Sequence, residues 1–282
     1  MTIALVAAAL LGCQRSALRD AAQPPDPSPL LRGDTTPAAA TAGGTGALLS
    51  STGCRLDYRL YRSDSSLWEG LVVLGHGFLR RKEHMHDLAR ALAARGLTTA
   101  ALDFCNSRPW DGRHYQNGLD MVRVADAIGA RKAVYVGFSA GGLAALVAGR
   151  RDPRSLGIVA LDLVDARGLG RRLAEGLETP LIGIMGEPTA CNARGEAIPI
   201  FAASGLGRVR ILAGAGHCDF ESPTDWRCEL VCEGPAGGSP HMRDEVIALT
   251  VAAVTELTGA RPRPAPLDTP DRAVRLSPGP RR

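Results

Sequence analysis

The sequence predicts an α/β fold in which helices cover both faces of a mostly parallel central sheet. Two observations lead to this prediction. Short apolar runs alternate along the chain with longer segments in which apolar residues recur at helical spacing. Several of the short runs are apolar at nearly every position, which is typical of parallel strands buried on both faces. Ligands of such sheets bind at the carboxyl ends of the strands, so these ends are where site residues are expected.

The first half of the predicted domain alternates strands and helices. YRLYR at 58–62 predicts a strand, and GLVVLGHG at 70–77 predicts a buried strand that ends in glycines. Apolar residues at helical spacing predict a helix over 83–96, closed by a glycine. LTTAALD at 97–103 predicts the next strand, and GLDMVRVADAIG at 118–129 a second glycine-closed helix.

The second half continues the alternation. β-Branched and aromatic residues predict a strand at 132–137, and the small residues that follow predict a helix over 140–151. Further apolar runs predict strands at 157–165, 179–187 and 208–214, and a closing helix over 241–259. No internal repeat interrupts this order.

Composition limits the class of protein. The chain has 282 residues, of which 45% are hydrophobic, enough for one large domain with its own core. The formal net charge is +4, and lysine occurs only at Lys82 and Lys132, so arginine carries most of the positive charge. No basic stripe is interleaved with aromatic residues, and nucleic acid is therefore not expected as a partner.

The two ends of the chain differ from its middle. Residues 1–13 contain an apolar run that ends in Leu-Leu-Gly-Cys, which is similar to the lipidation motif of bacterial lipoproteins. This likeness implies lipidation of Cys13 and membrane attachment; export without a lipid, or an apolar start without a signal function, are the alternatives. Residues 14–53 and 260–282 lack a hydrophobic period and are predicted to be a disordered linker and tail, which leaves 54–259 as the folded domain.

Cysteine usage also indicates export. Without Cys13, six cysteines remain, an even number that allows up to three disulfides in an oxidising compartment. The sequence does not choose among their pairings. Because no CxxC hook is present, a metal site is not expected.

The stretch VYVGFSAGG at 134–142 is the strongest functional signal. A G-x-S-x-G turn between a strand and a helix reverses the chain sharply and holds its serine out of the sheet at the helix N-terminus. Glycine-rich serine turns also occur by chance, but here a predicted strand precedes the turn and a predicted helix follows it. Ser139 is therefore predicted to be a nucleophile.

A serine hydroxyl needs a base to attack at neutral pH. His217 lies in the glycine-rich stretch AGAGHCDF, directly after the last predicted strand, and is the predicted base. His76 lies in LGHGF and is expected to shape a turn. His84, His86 and His114 lie in or near helical segments and are expected at the surface.

The base needs a carboxylate that orients it, and the expected chain order is serine, acid, histidine. Asp162 follows the serine and lies near the end of the strand predicted at 157–165, so it is the first choice. Glu187 and Asp165 are the alternatives. Pro188 restricts Glu187, which favours a structural turn there. A carboxylate among these that does not orient the base is expected to lie in a loop and cap a helix.

A tetrahedral oxyanion needs two backbone N–H donors. The residue after the nucleophile, Ala140, supplies one of them. The loop after the strand at 70–77 supplies the other, which makes Phe78 in His-Gly-Phe the second candidate.

These motifs resemble those of the α/β-hydrolase fold family. Strand-HGF, strand-GFSAGG, strand-LDLVD and loop-GHCD occur in the family's order across most of 54–259. The chain is most similar to compact members without a cap, namely chlorophyllases, cutinases and bacterial polyester hydrolases. The stretch 163–178 is too short for a helical cap domain. LDLVD resembles the chlorophyllase-type Asp-Pro-Val-Asp, although Leu163 replaces the proline. A few residues past the strand at 179–187, where many relatives carry Asp, this chain has Thr189 and Asn192.

The resemblance implies a serine hydrolase that cleaves carboxylic esters through a Ser-His-Asp triad and an acyl-enzyme, without a cofactor. The substrate would be a small-molecule or polymeric ester, and the protein an exported monomer that is either lipid-anchored or secreted. A thioesterase, amidase or peptidase would share the machinery. A non-catalytic binding protein on the same fold is the alternative of a different class.

Overall fold

The computed structural model of the protein describes residues 41–63, 68–106, 112–233 and 238–259. The predicted segment 1–13 with Cys13, the first part of the predicted linker, and the predicted tail 260–282 lie outside these residues. Within the described part of the chain, no helix is both long and apolar enough to cross a membrane.

The described residues form one eight-stranded sheet, which confirms the predicted mostly parallel architecture. Its strands are β1 (Thr41–Leu49), β2 (Arg55–Arg62), β3 (Leu71–Gly75), β4 (Thr99–Leu102), β5 (Ala133–Phe138), β6 (Ser155–Leu161), β7 (Leu181–Met185) and β8 (Gly207–Ile211). The spatial order is β1-β2-β4-β3-β5-β6-β7-β8. The β1–β2 and β2–β4 pairs are antiparallel, and all later neighbours are parallel.

Helices cover both faces of the sheet. They are α1 (His86–Ala94), α2 (His114–Ile128), α3 (Ala140–Arg151), α4 (Leu169–Ala174), α5 (Ile198–Ala203), α6 (Trp226–Cys228) and α7 (Pro240–Thr258). One core lies between the sheet and α2 to α5, and a second between the sheet and α1 and α7. Successive residues of one strand therefore enter opposite cores, as Val72 and Val73 do. This explains why nearly every residue of the central strands is apolar.

The interpretation of 14–53 as a disordered linker is wrong over Thr41–Leu49, which forms β1. Its sequence TAGGTGALL has few of the residues that favour strands. The strand forms because it pairs along almost its whole length with β2, across a bulge between Ala42 and Thr45 where Gly44 has a φ of 68°. Tertiary pairing thus overrides local preference at this edge.

Two predicted elements need smaller corrections. The strand predicted at 157–165 ends at Leu161, so Asp162 and Asp165 lie in the loop that follows. The helix predicted at 118–129 begins four residues earlier, at His114. Between β6 and β7, only the six-residue helix α4 is present, and no large cap is evident.

Three disulfides join the six cysteines of the domain: Cys54–Cys105, Cys191–Cys232 and Cys218–Cys228. The sulfurs of Cys218, Cys228 and Cys232 lie within 4.8 Å of one another. Because each is already in a disulfide, this cluster offers no thiolate to a metal ion.

Arginines occupy the exposed edge strand β8. Arg208 pairs with Glu256 at 2.5 Å and Arg210 with Glu245 at 3.8 Å, both on α7. The last strand of the sheet therefore carries charged side chains that are held against the closing helix.

Candidate active site

Ser139 lies at a sharp turn between β5 and α3. Its φ of 54° and ψ of −120° are unfavourable for a residue with a side chain, and such strain is concentrated at functional sites. Its amide donates to the Leu161 carbonyl at 2.8 Å, which places it beside the end of β6. A methyl group on Gly137 would collide with the carbonyl of Gly141, and one on Gly141 with the carbonyl of Gly75. Both glycines are thus required for the close approach of backbones at this turn.

His217 and Asp162 meet beside that turn. The His217 Nδ1 lies 2.5 Å from the Asp162 Oδ2, with both side chains buried. The imidazole also packs on the ring of Phe138, the residue before Ser139, at a centroid distance of 4.8 Å. His217 begins a short 3-10 turn after β8, so three strand ends bring these groups together.

The second oxygen of Asp162 is also satisfied. Its Oδ1 accepts from the Gly186 amide at 2.9 Å and from the Asn192 side-chain amide at 3.2 Å. Asn192 is fully buried and donates as well to the Glu187 carbonyl at 2.8 Å. The Gly186 amide, the Asn192 side-chain amide and the His217 imidazole therefore hold the Asp162 carboxyl group in one orientation. The sequence did not predict the role of Asn192; the only available signal was that Thr189 and Asn192 lie a few residues after the strand predicted at 179–187, where an acid was also sought.

The two alternative carboxylates have other surroundings. The Glu187 side chain is exposed to solvent. One carboxylate oxygen of Asp165 accepts from the amides of Ala166 and Gly170, both at 2.7 Å, and so caps the start of α4. Of the three candidate acids, Asp162 is therefore the one that the structure brings to His217.

The loop after β3 orients a peptide group next to Ser139. β3 pairs with β5, and Gly75 lies opposite Gly137. The Gly77 carbonyl accepts from the His76 imidazole at 2.7 Å and from the Arg80 amide at 3.2 Å. Because a trans peptide points its N–H away from its C=O, these two bonds fix the direction of the Phe78 N–H. Phe78 itself is half-exposed, and Ala140 is half-buried at the start of α3.

The tautomer of His76 follows from its partners. Its Nε2 accepts from the Phe104 amide at 3.1 Å, so its proton lies on Nδ1 and is donated to Gly77. His76 is buried, and this desolvation lowers its pKa from 6.5 to about 4. The neutral imidazole is thus a structural part of the loop, as the sequence suggested.

The pKa of His76 predicts acid sensitivity. Between about pH 6.5 and 4, the unfolded chain binds a proton at His76 that the folded chain does not. The free energy of unfolding therefore falls as the pH falls through this window, by about 3 kcal/mol in all. We expect His76→Asn to reduce the stability at pH 7 but to flatten its dependence on pH. Urea unfolding at pH 4.5, 5.5 and 7 measures both effects. His241→Asn, on the surface of α7, is the control; a wild-type slope in His76→Asn would contradict the prediction.

Disulfides hold the backbone on both sides of the His217–Asp162 pair. Cys218 follows His217 directly, and Cys191 precedes Asn192 directly. The Cys218 amide also donates to a Glu233 carboxylate oxygen at 2.8 Å. The loop that carries the imidazole and the loop that supports the carboxylate are thereby linked covalently through Cys191–Cys232.

Comparison with known proteins shows the fold. No family model and no curated protein sequence matches the chain. Among solved structures, a predicted CIB-like hydrolase from Thermoplasma acidophilum superposes with a TM-score of 0.56 at 17% identity, over 76% of this chain and 100% of its own. A dienelactone hydrolase-like promiscuous phosphotriesterase from metagenomic libraries gives 0.58 at 15% identity, over 78% and 99%. The esterase domain of a Rhodothermus marinus protein gives 0.58 at 14% identity, over 76% and 98%. The chain therefore has the α/β-hydrolase fold.

Proposed function

We propose that the protein is a serine hydrolase that cleaves carboxylic esters through an acyl-enzyme on Ser139. The observation that carries this proposal is the buried hydrogen bond between His217 and Asp162, located beside the strained turn that holds Ser139. A nucleophile, a base and a group that orients the base are the minimum set for this chemistry. The fold, shared with hydrolases and an esterase domain, supports the same reaction class.

The proposed mechanism assigns one role to each group. The Ser139 Oγ attacks the acyl carbonyl carbon while the His217 Nε2 takes its proton, and Asp162 stabilises the resulting imidazolium. The amides of Phe78 and Ala140 donate to the oxyanion. His217 then protonates the leaving alcohol. A water molecule, deprotonated by the same imidazole, hydrolyses the acyl-enzyme and regenerates Ser139.

We further propose that the substrate is a bulky apolar ester, as in the compact members without a cap. Phe78 and Leu79, on the loop after β3, expose 36% and 68% of their surface. Trp226, Leu230 and Val231, in α6 and the helical turn that follows it, expose between 65% and 76%. Exposed apolar side chains on both segments suit an apolar acyl or polymer chain.

Trp226 is expected to contribute to this preference. Trp226→Ala should lower kcat/KM for a long-chain ester about fivefold, because about 1 kcal/mol of apolar contact is lost, and should leave an acetate ester unaffected. The ratio of kcat/KM for p-nitrophenyl dodecanoate and p-nitrophenyl acetate measures the effect. Leu206→Ala is the matched control, since Leu206 is 56% exposed but lies just before the start of β8, at the opposite end of this strand from the His217 loop. An equal change of this ratio in both variants would contradict a role for Trp226 in substrate preference.

Labelling with a fluorophosphonate tests the proposed function directly. We expect wild-type protein to be labelled at Ser139 and to hydrolyse members of a panel of esters faster than matched thioesters, amides and peptides. Faster hydrolysis of a thioester, amide or peptide would change the assigned substrate class but leave the proposed mechanism in place. Absence of both labelling and turnover would indicate a binding protein and overturn the proposal.

We also propose that the protein is exported, and that Cys13 attaches it to a membrane. Three disulfides in the domain support an oxidising compartment. Intact-mass analysis of protein from its native source tests this proposal, and retention of Met1 would contradict it.

A further inference from the structure

A buried ion pair joins the loop after β3 to the loop after His217. The Arg80 Nε donates to the Glu221 Oε2 at 2.8 Å, and the Arg80 Nη2 donates to the Glu221 Oε1 at 2.5 Å. Only 12% of the Arg80 side chain and none of the Glu221 side chain is exposed. This is a two-bonded contact between a guanidinium and a carboxylate, which fixes both distance and orientation.

At one end, the pair acts on the peptide that precedes Phe78. The Arg80 amide donates to the Gly77 carbonyl, and the Arg80 stem packs so closely that a methyl group on Gly77 would lie 3.3 Å from its Cγ. Leu79, between them, has a φ of 57°. A shift of the guanidinium would therefore move the Gly77–Phe78 peptide, whose N–H is the proposed oxyanion donor.

At the other end, the pair acts on the segment that carries the base. Glu221 follows the 3-10 turn His217–Phe220 directly. The Thr224 hydroxyl donates to the Glu221 Oε1 at 2.8 Å, and Asp225 adds a contact to the Arg80 Nη2 at 3.1 Å. The carboxylate thus has donors on both oxygens, and its position fixes that of the turn.

From this geometry we infer that Arg80 and Glu221 are positioning residues for the proposed hydrolysis. They hold the Phe78 N–H and the His217 imidazole at fixed positions relative to Ser139, so that both groups contact the same tetrahedral intermediate. A buried ion pair contributes little net stability compared with an apolar pair of similar size. Its orientation is nevertheless specific, and displacements of about 1 Å at a reacting centre lower rates by about a hundredfold.

The test separates positioning from stability. Glu221→Gln removes the negative charge and one of the two hydrogen-bond acceptors. Arg80→Lys keeps the positive charge but cannot form the two-bonded contact. The double variant Arg80→Met/Glu221→Leu replaces the pair with apolar groups. Asp152→Asn is the matched control, because this buried carboxylate accepts from Arg154 and Tyr135 at the amino-terminal end of β6. Melting temperature, kcat and KM on p-nitrophenyl butyrate, and the rate of fluorophosphonate labelling are measured for each protein.

We expect Glu221→Gln and Arg80→Lys to lower kcat and the labelling rate by about 10–100-fold with little change in KM. The double variant should regain melting temperature but not kcat, and Asp152→Asn should lose melting temperature but not kcat. If the double variant regains both, or if Glu221→Gln keeps wild-type kcat, the pair is only structural and this inference is wrong. The inference depends on the proposed function, and a wild-type protein without labelling or turnover would overturn both; normal wild-type labelling with unaffected variants overturns the inference alone.

Discussion

Ser139→Ala is expected to lower kcat for ester hydrolysis by about 10⁵–10⁶-fold, the scale found when a serine nucleophile is removed from a triad. The hydroxyl is the group that forms the acyl-enzyme, and no neighbouring side chain replaces it in the proposed mechanism. The fold should persist, because alanine keeps the Cβ of serine at the strained turn and removes no hydrogen bond on which β5 or α3 depends.

The measurement is steady-state hydrolysis of p-nitrophenyl butyrate together with far-UV circular dichroism. Ser204→Ala is the control, since Ser204 is also buried but lies just before the start of β8, at the opposite end of this strand from the His217 loop. We expect the control to keep wild-type kcat. Activity of Ser139→Ala within tenfold of wild type would overturn the assignment of the nucleophile.

Asp162→Asn should give the second-largest loss, about 10³–10⁴-fold in kcat. An amide at this position presents its NH₂ to the imidazole as readily as its oxygen, so the tautomer with a proton on the His217 Nδ1 is no longer favoured, and the imidazolium loses its counter-charge. The amide oxygen can still accept from Gly186 and Asn192, which should preserve the local fold.

Glu187→Gln and Asp165→Asn serve as matched controls on one activated ester. Both remove a carboxylate close in sequence, but the first is exposed and the second caps α4. We expect the control variants to stay within a few-fold of wild-type kcat. If Glu187→Gln is the inactive variant, the assignment of the acid is wrong although the fold stands.

The sequence predicted those parts of the fold and site whose signals are local. Ser139 lies in a five-residue motif between recognisable elements, and His217 lies in a glycine-rich loop after the last strand. Asp162 could be chosen by chain order and by the end of an apolar run. In each case, a few adjacent residues carry the information because parallel strands end at the same edge of the sheet.

The remaining features depend on residues far apart in the chain. β1 becomes a strand through its pairing with β2, which its own small residues do not predict. Asn192 and Asp162 are 30 residues apart, and Arg80 and Glu221 are 141 apart. Disulfide pairing likewise depends on three-dimensional proximity, so Cys228 pairs with Cys218 and not with the nearer Cys232.

The two edges of the described sheet bear on how the protein behaves at high concentration. Unpaired strand edges are templates for growth into ordered aggregates, and natural sheets block them with bulges and charged side chains. β1 carries the bulge next to Gly44, and β8 carries Arg208 and Arg210, each of which forms an ion pair with a glutamate of α7. A second copy that approaches either edge meets an irregular backbone or a charged side chain, so strand addition and the insoluble material it produces are disfavoured.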